Sequence, residues 1–228
     1  MVSEFFKDAL RAVSSGLQIP TIIILILLII IAVLMLGSVI AEYFSERKAL
    51  KESIPGLIDR LQGKNMSEMK TVIFGSELLK RQKKAAETLI DRIAYPDNTR
   101  EALARQLLAD EESRYNKITK LTDVIARTAP MFGLMGTLIP LGPGLIALGQ
   151  GDTKTLSDSL LIAFDTTVAG LISGAVSYVI SGVRKSWYEQ YMIGLETIFE
   201  AVLEEQSRER KLMYRKMQQK KESAKDRG

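Results

Sequence analysis

The chain has 228 residues, of which 46% are hydrophobic, with 31 Lys and Arg, 27 Asp and Glu, and a net charge of +4. It contains no cysteine and no histidine, which excludes disulfides, Cys/His zinc sites, thiolate nucleophiles and imidazole bases. An enzyme, a cofactor and a metal site are therefore not expected, and the dispersed positive charge does not indicate nucleic acid as a partner.

Three long stretches contain most of the hydrophobic residues. Residues 19–41 and 128–150 carry no charge, and residues 159–183 contain only Asp165. About 20 apolar residues in a helix cross the ~30 Å hydrocarbon core of a bilayer. The sequence therefore predicts an all-α membrane protein with transmembrane helices at 19–42, 126–150 and 159–183.

The N-terminal segment precedes the first of these spans. Residues 1–18 alternate apolar and charged positions at helical spacing, which indicates an outer amphipathic helix or a frayed extension of the first span. The flank is too mixed in charge, and the span too long, for a cleaved signal peptide. We interpret the first span as a retained anchor.

The segment 43–125 is predicted to form a helical region outside the membrane. Turns are expected at Ile54-Pro55-Gly56 and at 62–65, and a break at Tyr95-Pro96-Asp97-Asn98 should begin a helix that runs into the second span. Residues 151–158 are expected to form a loop between the second and third spans.

The second and third spans each carry a stripe of small or weakly polar residues at intervals of three and four. These residues are Pro130, Gly133, Thr137, Pro140 and Gly144, with Gly136 beside them, and then Thr167, Gly170, Gly174, Ser177 and Ser181. Such stripes are helix-packing seams, or they line a pore whose titratable group is supplied by something other than this chain. One subunit is not expected to bury both stripes alone, which predicts a homo-oligomer.

The tail 184–228 is predicted to continue the third helix with one apolar seam, and its final stretch from Gln218 to Gly228 is predicted to fray or to stay disordered. The seam consists of Tyr188, Tyr191, Leu195, Ile198 and Val202. Ten of the thirteen Lys and Arg near the span ends lie in the middle region or the tail, so the positive-inside rule places both in the cytoplasm and the N-terminus outside. Aromatic residues 43, 44, 187, 188 and 191 sit where a cytoplasmic interface is expected.

The motifs APMFGLMGT at 129–137 and AFDTTVAGL at 163–171 resemble the MotA/TolQ/ExbB proton-channel family. The three-span layout with a large first cytoplasmic loop is similar to the TolQ/ExbB branch rather than to the four-span MotA branch. The resemblance implies a multi-pass inner-membrane subunit that conducts protons, or alternatively sodium, as a stator or motor component. It also implies five subunits around a single-span ExbD/TolR/MotB-like partner, whose membrane Asp is protonated and released as ions cross.

The resemblance also assigns residues to the ion path. Thr137 and Thr167 match the family's threonines, whose hydroxyls can donate a hydrogen bond to the partner's ionised carboxylate or accept one from the protonated carboxyl. Pro130 matches the family's proline at the cytoplasmic mouth. We place Thr166 and Asp165 in the lining as well. Asp165 points about 200° away from Thr167, so an intersubunit hydrogen bond or a silent protonated acid are its alternatives.

The outer half of the second span departs from the family pattern. Pro140 and Pro143, with glycines at 142 and 144, predict that this half is broken and hydrated.

The sequence also leaves other functions open. The rival function is a non-conducting membrane scaffold that recruits cytoplasmic partners. A secondary transporter is disfavoured because the chain has three spans and no inverted repeat.

Overall fold

The computed structural model describes residue 5, residues 12 and 13, and the ranges 16–44 and 53–225. The regular elements of these residues are all helical, and the helices contain between 8 and 73 residues. They are α1 (Gln18–Glu42), α2 (Ile54–Leu61), α3 (Met66–Gly75), α4 (Lys80–Ile90), α5 (Asp97–Gly149) and α6 (Thr153–Lys225). Three of them, α1, α5 and α6, are long and apolar enough to cross a membrane, which confirms the predicted fold class. Most of the predicted outer helix 1–18 lies outside the described residues.

Local sequence signals set most of the helix ends in the middle region. The turn at 62–65 is confirmed: Gly63 adopts φ +72°, and the Asn65 side chain accepts a hydrogen bond of 2.9 Å from the Glu68 N–H at the start of α3. The break before Asp97 is confirmed as well, because α5 begins there. The turn predicted at Ile54-Pro55-Gly56 is wrong. These residues begin α2, since a proline in the first turn lacks only an N–H that has no helical partner.

The helix α5 runs unbroken through Pro130, Pro140 and Pro143. The interruption predicted for the outer half of the second span is therefore not found. Each proline removes one backbone donor, and in membrane helices the surrounding packing compensates for such a loss.

The connection between α5 and α6 is shorter than predicted. The Asp152 carboxylate accepts a 3.0 Å hydrogen bond from the Thr155 N–H, a cap that starts α6 at Thr153. Residues 153–158 are therefore helical, and the loop predicted at 151–158 reduces to a turn around Gly151, whose φ is +83°.

At its other end α6 continues to Lys225, past the fraying predicted at Gln218, because the lysines, glutamines and glutamates there favour helix.

The chain folds as two compact units, and α5 and α6 contribute to both. The membrane unit comprises Met1–Ala41 and Lys117–Lys185. In it α1 packs on α5 and α6 through Leu28, Met35, Ile125, Ala129 and Ile180. The Arg184 guanidinium donates a 2.9 Å hydrogen bond to the Ser38 hydroxyl, which ties the end of α1 to α6.

The extramembrane unit comprises Glu42–Asn116 and Ser186–Gly228. Its core confirms the seam predicted on α6: Leu195, Ile198 and Val202 are buried against α2, α3 and α4. Inside it the fully buried Arg100 donates to Gln206 Oε1 at 2.8 Å and to the Asp97 carboxylate. The apolar seam of α6 therefore packs on helices of the same chain.

Candidate functional site

The backbones of α5 and α6 touch where the two stripes cross. A Cβ atom added to Gly170 would lie 2.6 Å from the Ala129 carbonyl oxygen and 2.7 Å from the Gly133 Cα. A Cβ atom on Gly174 would lie 2.8 Å from the Pro130 ring. Small residues are required here because no side chain fits between the helices.

The same contact continues toward the α5–α6 turn. A Cβ atom on Gly136 would lie 2.5 Å from the Thr166 Cβ, and one on Gly144 would lie 3.0 Å from the Ser159 Cβ. Pro140 is buried between these two glycines. The helix-packing interpretation of the stripes therefore holds for most of their residues.

This contact corrects the argument for assembly made from the sequence. The stripes were expected to need neighbouring subunits, yet one subunit brings Gly133 against Gly170 and Pro130 against Gly174. The stripes are complementary to each other, so they carry no information about the number of subunits.

The two threonines singled out by the sequence lie at the same level of the bundle. The antiparallel contacts of Gly133 with Gly170 and of Pro130 with Gly174 set a register in which Thr137 lies opposite Thr167. Both side chains are half-buried. The Thr137 hydroxyl donates to the Leu134 carbonyl at 2.6 Å, and the Thr167 hydroxyl donates to the Ala163 carbonyl at 3.0 Å. Their oxygen lone pairs keep the capacity to accept a further hydrogen bond.

Both threonines also lie on the side of the bundle away from α1. The helix α1 packs near Phe132 on α5 and near Ile180 on α6. At 3.6 residues per turn, Thr137 lies about 140° from Phe132, and Thr167 lies about 140° from Ile180. The membrane unit therefore presents both hydroxyl-bearing residues along one edge of the α5–α6 contact.

The other two predicted lining residues do not join this edge. Thr166 is buried against Gly136, and its hydroxyl donates to the Ile162 carbonyl at 2.9 Å. Asp165 is exposed on the opposite side of α6, among the exposed apolar side chains of Phe164 and Val168. A carboxylate at this depth is unfavourable in lipid, so we expect protein or water to cover Asp165 in the membrane.

A polar cluster that the sequence did not predict lies at the other end of the contact, ahead of the second span. The Ser181 hydroxyl donates to one oxygen of the Asp123 carboxylate, and the Lys185 ammonium donates to the other at 2.6 Å. These two donors hold the pKa of Asp123 below its ordinary value. No local pattern in the sequence pairs Lys185 with an acid 62 residues away, so this cluster appears only in the folded chain.

Comparison with known proteins supports the resemblance noted in the sequence. A sequence model of the MotA/TolQ/ExbB proton channel family matches residues 74–197, which is more than half of the chain. The chain belongs to the MotA/TolQ/ExbB family. No curated protein gives a significant match.

The matched region contains both threonines, the whole α5–α6 contact and the Asp123 cluster. Members of the MotA/TolQ/ExbB family are channel or transport-associated proteins rather than enzymes, and they work as oligomers with a single-span partner. Together with the three apolar helices, family membership indicates a multi-pass inner-membrane protein.

Proposed function

We propose that this chain is the ion-conducting subunit of a stator or motor complex, in which the transmembrane proton gradient drives motion of a single-span ExbD/TolR/MotB-like partner. The observation that carries the proposal is the placement of Thr137 and Thr167 at one level and on one edge of the α5–α6 contact. This edge lies within the family match, and the two side chains retain hydrogen-bonding capacity.

The chain itself supports the need for a partner that brings an acid. Asp165 is the only Asp or Glu within 128–150 and 159–183, and it lies about 200° around α6 from Thr167. A proton that passes the threonines therefore needs a carboxylate from another chain. The hydroxyls would hold a water molecule or accept a hydrogen bond from the protonated carboxyl of the partner.

We further propose that five copies of the chain surround the partner. The exposed Asp165 face supports contact with a neighbouring copy, because a carboxylate at this depth is unfavourable against lipid, and the number five follows from the resemblance to the family. In this arrangement the threonine edge faces the partner, and the Asp165 face contacts a neighbouring subunit.

Reconstitution tests the function directly. We expect proteoliposomes that contain the chain and a single-span partner of the ExbD/TolR/MotB type, with an aspartate in its span, to dissipate an imposed pH gradient. Liposomes with either protein alone are the control, and an imposed sodium gradient distinguishes the second ion. A complex that assembles but passes neither ion would favour the non-conducting scaffold instead.

The proposed orientation has its own test, because the chain contains no cysteine. With the middle region in the cytoplasm, Gln150→Cys in intact cells should react with a membrane-impermeant thiol reagent. Lys80→Cys should react only after the membrane is opened, and the unmodified chain gives the background. The reverse pattern would invert the orientation.

A further inference from the structure

Three hydroxyl groups follow one another along the side of α6 that packs on α5. Ser173, Ser177 and Ser181 are each at most 3% exposed and are separated by steps of four residues, about 6 Å along the helix. The Ser173 hydroxyl donates to the Ala169 carbonyl at 2.8 Å, and the Ser181 hydroxyl donates to Asp123. Among the described residues, the hydroxyl of Ser177 has no hydrogen-bond partner.

A backbone acceptor lacks its usual donor at the same level of α5. Pro130 has no N–H to donate to the carbonyl of Ala126, four residues earlier in the helix. That oxygen faces α6, because a Cβ atom on Gly174 would lie 3.3 Å from it. The antiparallel register that pairs Asp123 with Ser181 places Ala126 opposite Ser177.

Buried polar groups without a protein partner are ordinarily satisfied by ordered water. We infer that a water molecule bridges the Ser177 hydroxyl and the Ala126 carbonyl, and that this water, Ser181 and Asp123 form a proton path inside each subunit. The path would connect the interior of the α5–α6 contact to the aqueous side at Asp123. This inference rests on the proposed function, because it needs protons to cross the complex.

The proton transfer balances without any further reagent. A proton that enters the path is taken up by this water, which gives one of its own protons to the Ser181 oxygen while the Ser181 hydroxyl proton moves to the Asp123 carboxylate, so that the water and Ser181 are both left neutral. The carboxyl group then releases that proton to bulk water beside Lys185, whose ammonium holds the restored carboxylate at 2.6 Å. The Asp123 side chain is 30% exposed, so bulk water reaches it.

The sharpest test uses Ser177, since a substitution there breaks no hydrogen bond of its hydroxyl to any residue that the structure describes. In proteoliposomes with the single-span partner, we expect Ser177→Ala to reduce proton flux about tenfold, the loss that removal of a hydrogen bond to a charged species produces. The matched control is Ser186→Ala, the same change on an exposed position of α6. The melting temperature of the Ser177→Ala complex should equal that of the unmodified complex.

Asp123 gives a second and independent measurement. Asp123→Asn should reduce flux as Ser177→Ala does, whereas Asp123→Glu keeps a titratable acid and should conduct. If the unmodified complex conducts and Ser177→Ala and Asp123→Asn conduct equally well, the internal path is overturned and the proposed function stands. If the unmodified complex passes no protons, both are overturned.

Discussion

Gly170→Ala should destabilise the membrane unit by about 3 kcal/mol or more, at the upper end of what overpacking costs in a protein interior. The added methyl group would lie 2.6 Å from the Ala129 carbonyl oxygen and 2.7 Å from the Gly133 Cα, and both of these atoms belong to backbone that cannot rotate away. The helices α5 and α6 would have to separate, which would also loosen the contacts at Gly136 and Gly174. Gly170→Leu should prevent folding of the unit.

Gly182→Ala is the matched control for this prediction, because it is the same substitution in the same helix. A Cβ atom at Gly182 meets no atom of the described residues within 4 Å, and alanine favours helix over glycine by about 1 kcal/mol. Thermal unfolding of the detergent-purified protein, followed by circular dichroism, should show a lower midpoint for Gly170→Ala and an equal or higher midpoint for Gly182→Ala. Equal midpoints in the two variants would show that the helices do not approach as described.

Thr137→Val and Thr167→Val should each reduce proton flux about tenfold or more, because each removes a hydroxyl that would contact a charged or protonated group in the path. Valine retains the shape of threonine, and the lost donor bonds go to carbonyls of the same helix. Assembly with the partner should therefore survive. Flux into proteoliposomes and co-purification with the single-span partner measure the two effects separately.

Asp165→Asn is the comparison that separates the two faces of α6. Asparagine keeps the size of the side chain and its ability to make a hydrogen bond, but it does not ionise. Since Asp165 lies about 200° from Thr167, we expect this variant to assemble and to conduct. Lost flux in an intact Asp165→Asn complex would place the carboxylate on the ion path. Full flux in both Thr→Val variants would remove the support for the threonine edge.

The sequence by itself determined the three membrane helices, because long apolar stretches with at most one charged residue have no other stable environment than lipid or a protein interior. It also determined the turn at Gly63, the break before Asp97 and the apolar seam of α6, since these depend on local conformational preference and helical periodicity. It misplaced the start of α2, the length of the turn before α6 and the effect of Pro140 and Pro143. At α2 the proline suits the first turn of a helix, at α6 the Asp152 cap extends the helix, and at Pro140 and Pro143 the surrounding packing compensates for the missing backbone donors.

Only the tertiary structure decided which residues of the two stripes pack and which remain available to another chain. Periodicity placed Gly170, Gly174 and Thr167 on one face of α6, but the antiparallel register separates them: the glycines touch α5, and the threonine stays at the edge. The Asp123 cluster and the buried Arg100 are likewise products of long-range contact. Pairings between residues 58 to 106 positions apart depend on how the helices pack, and no local pattern in a single sequence encodes them.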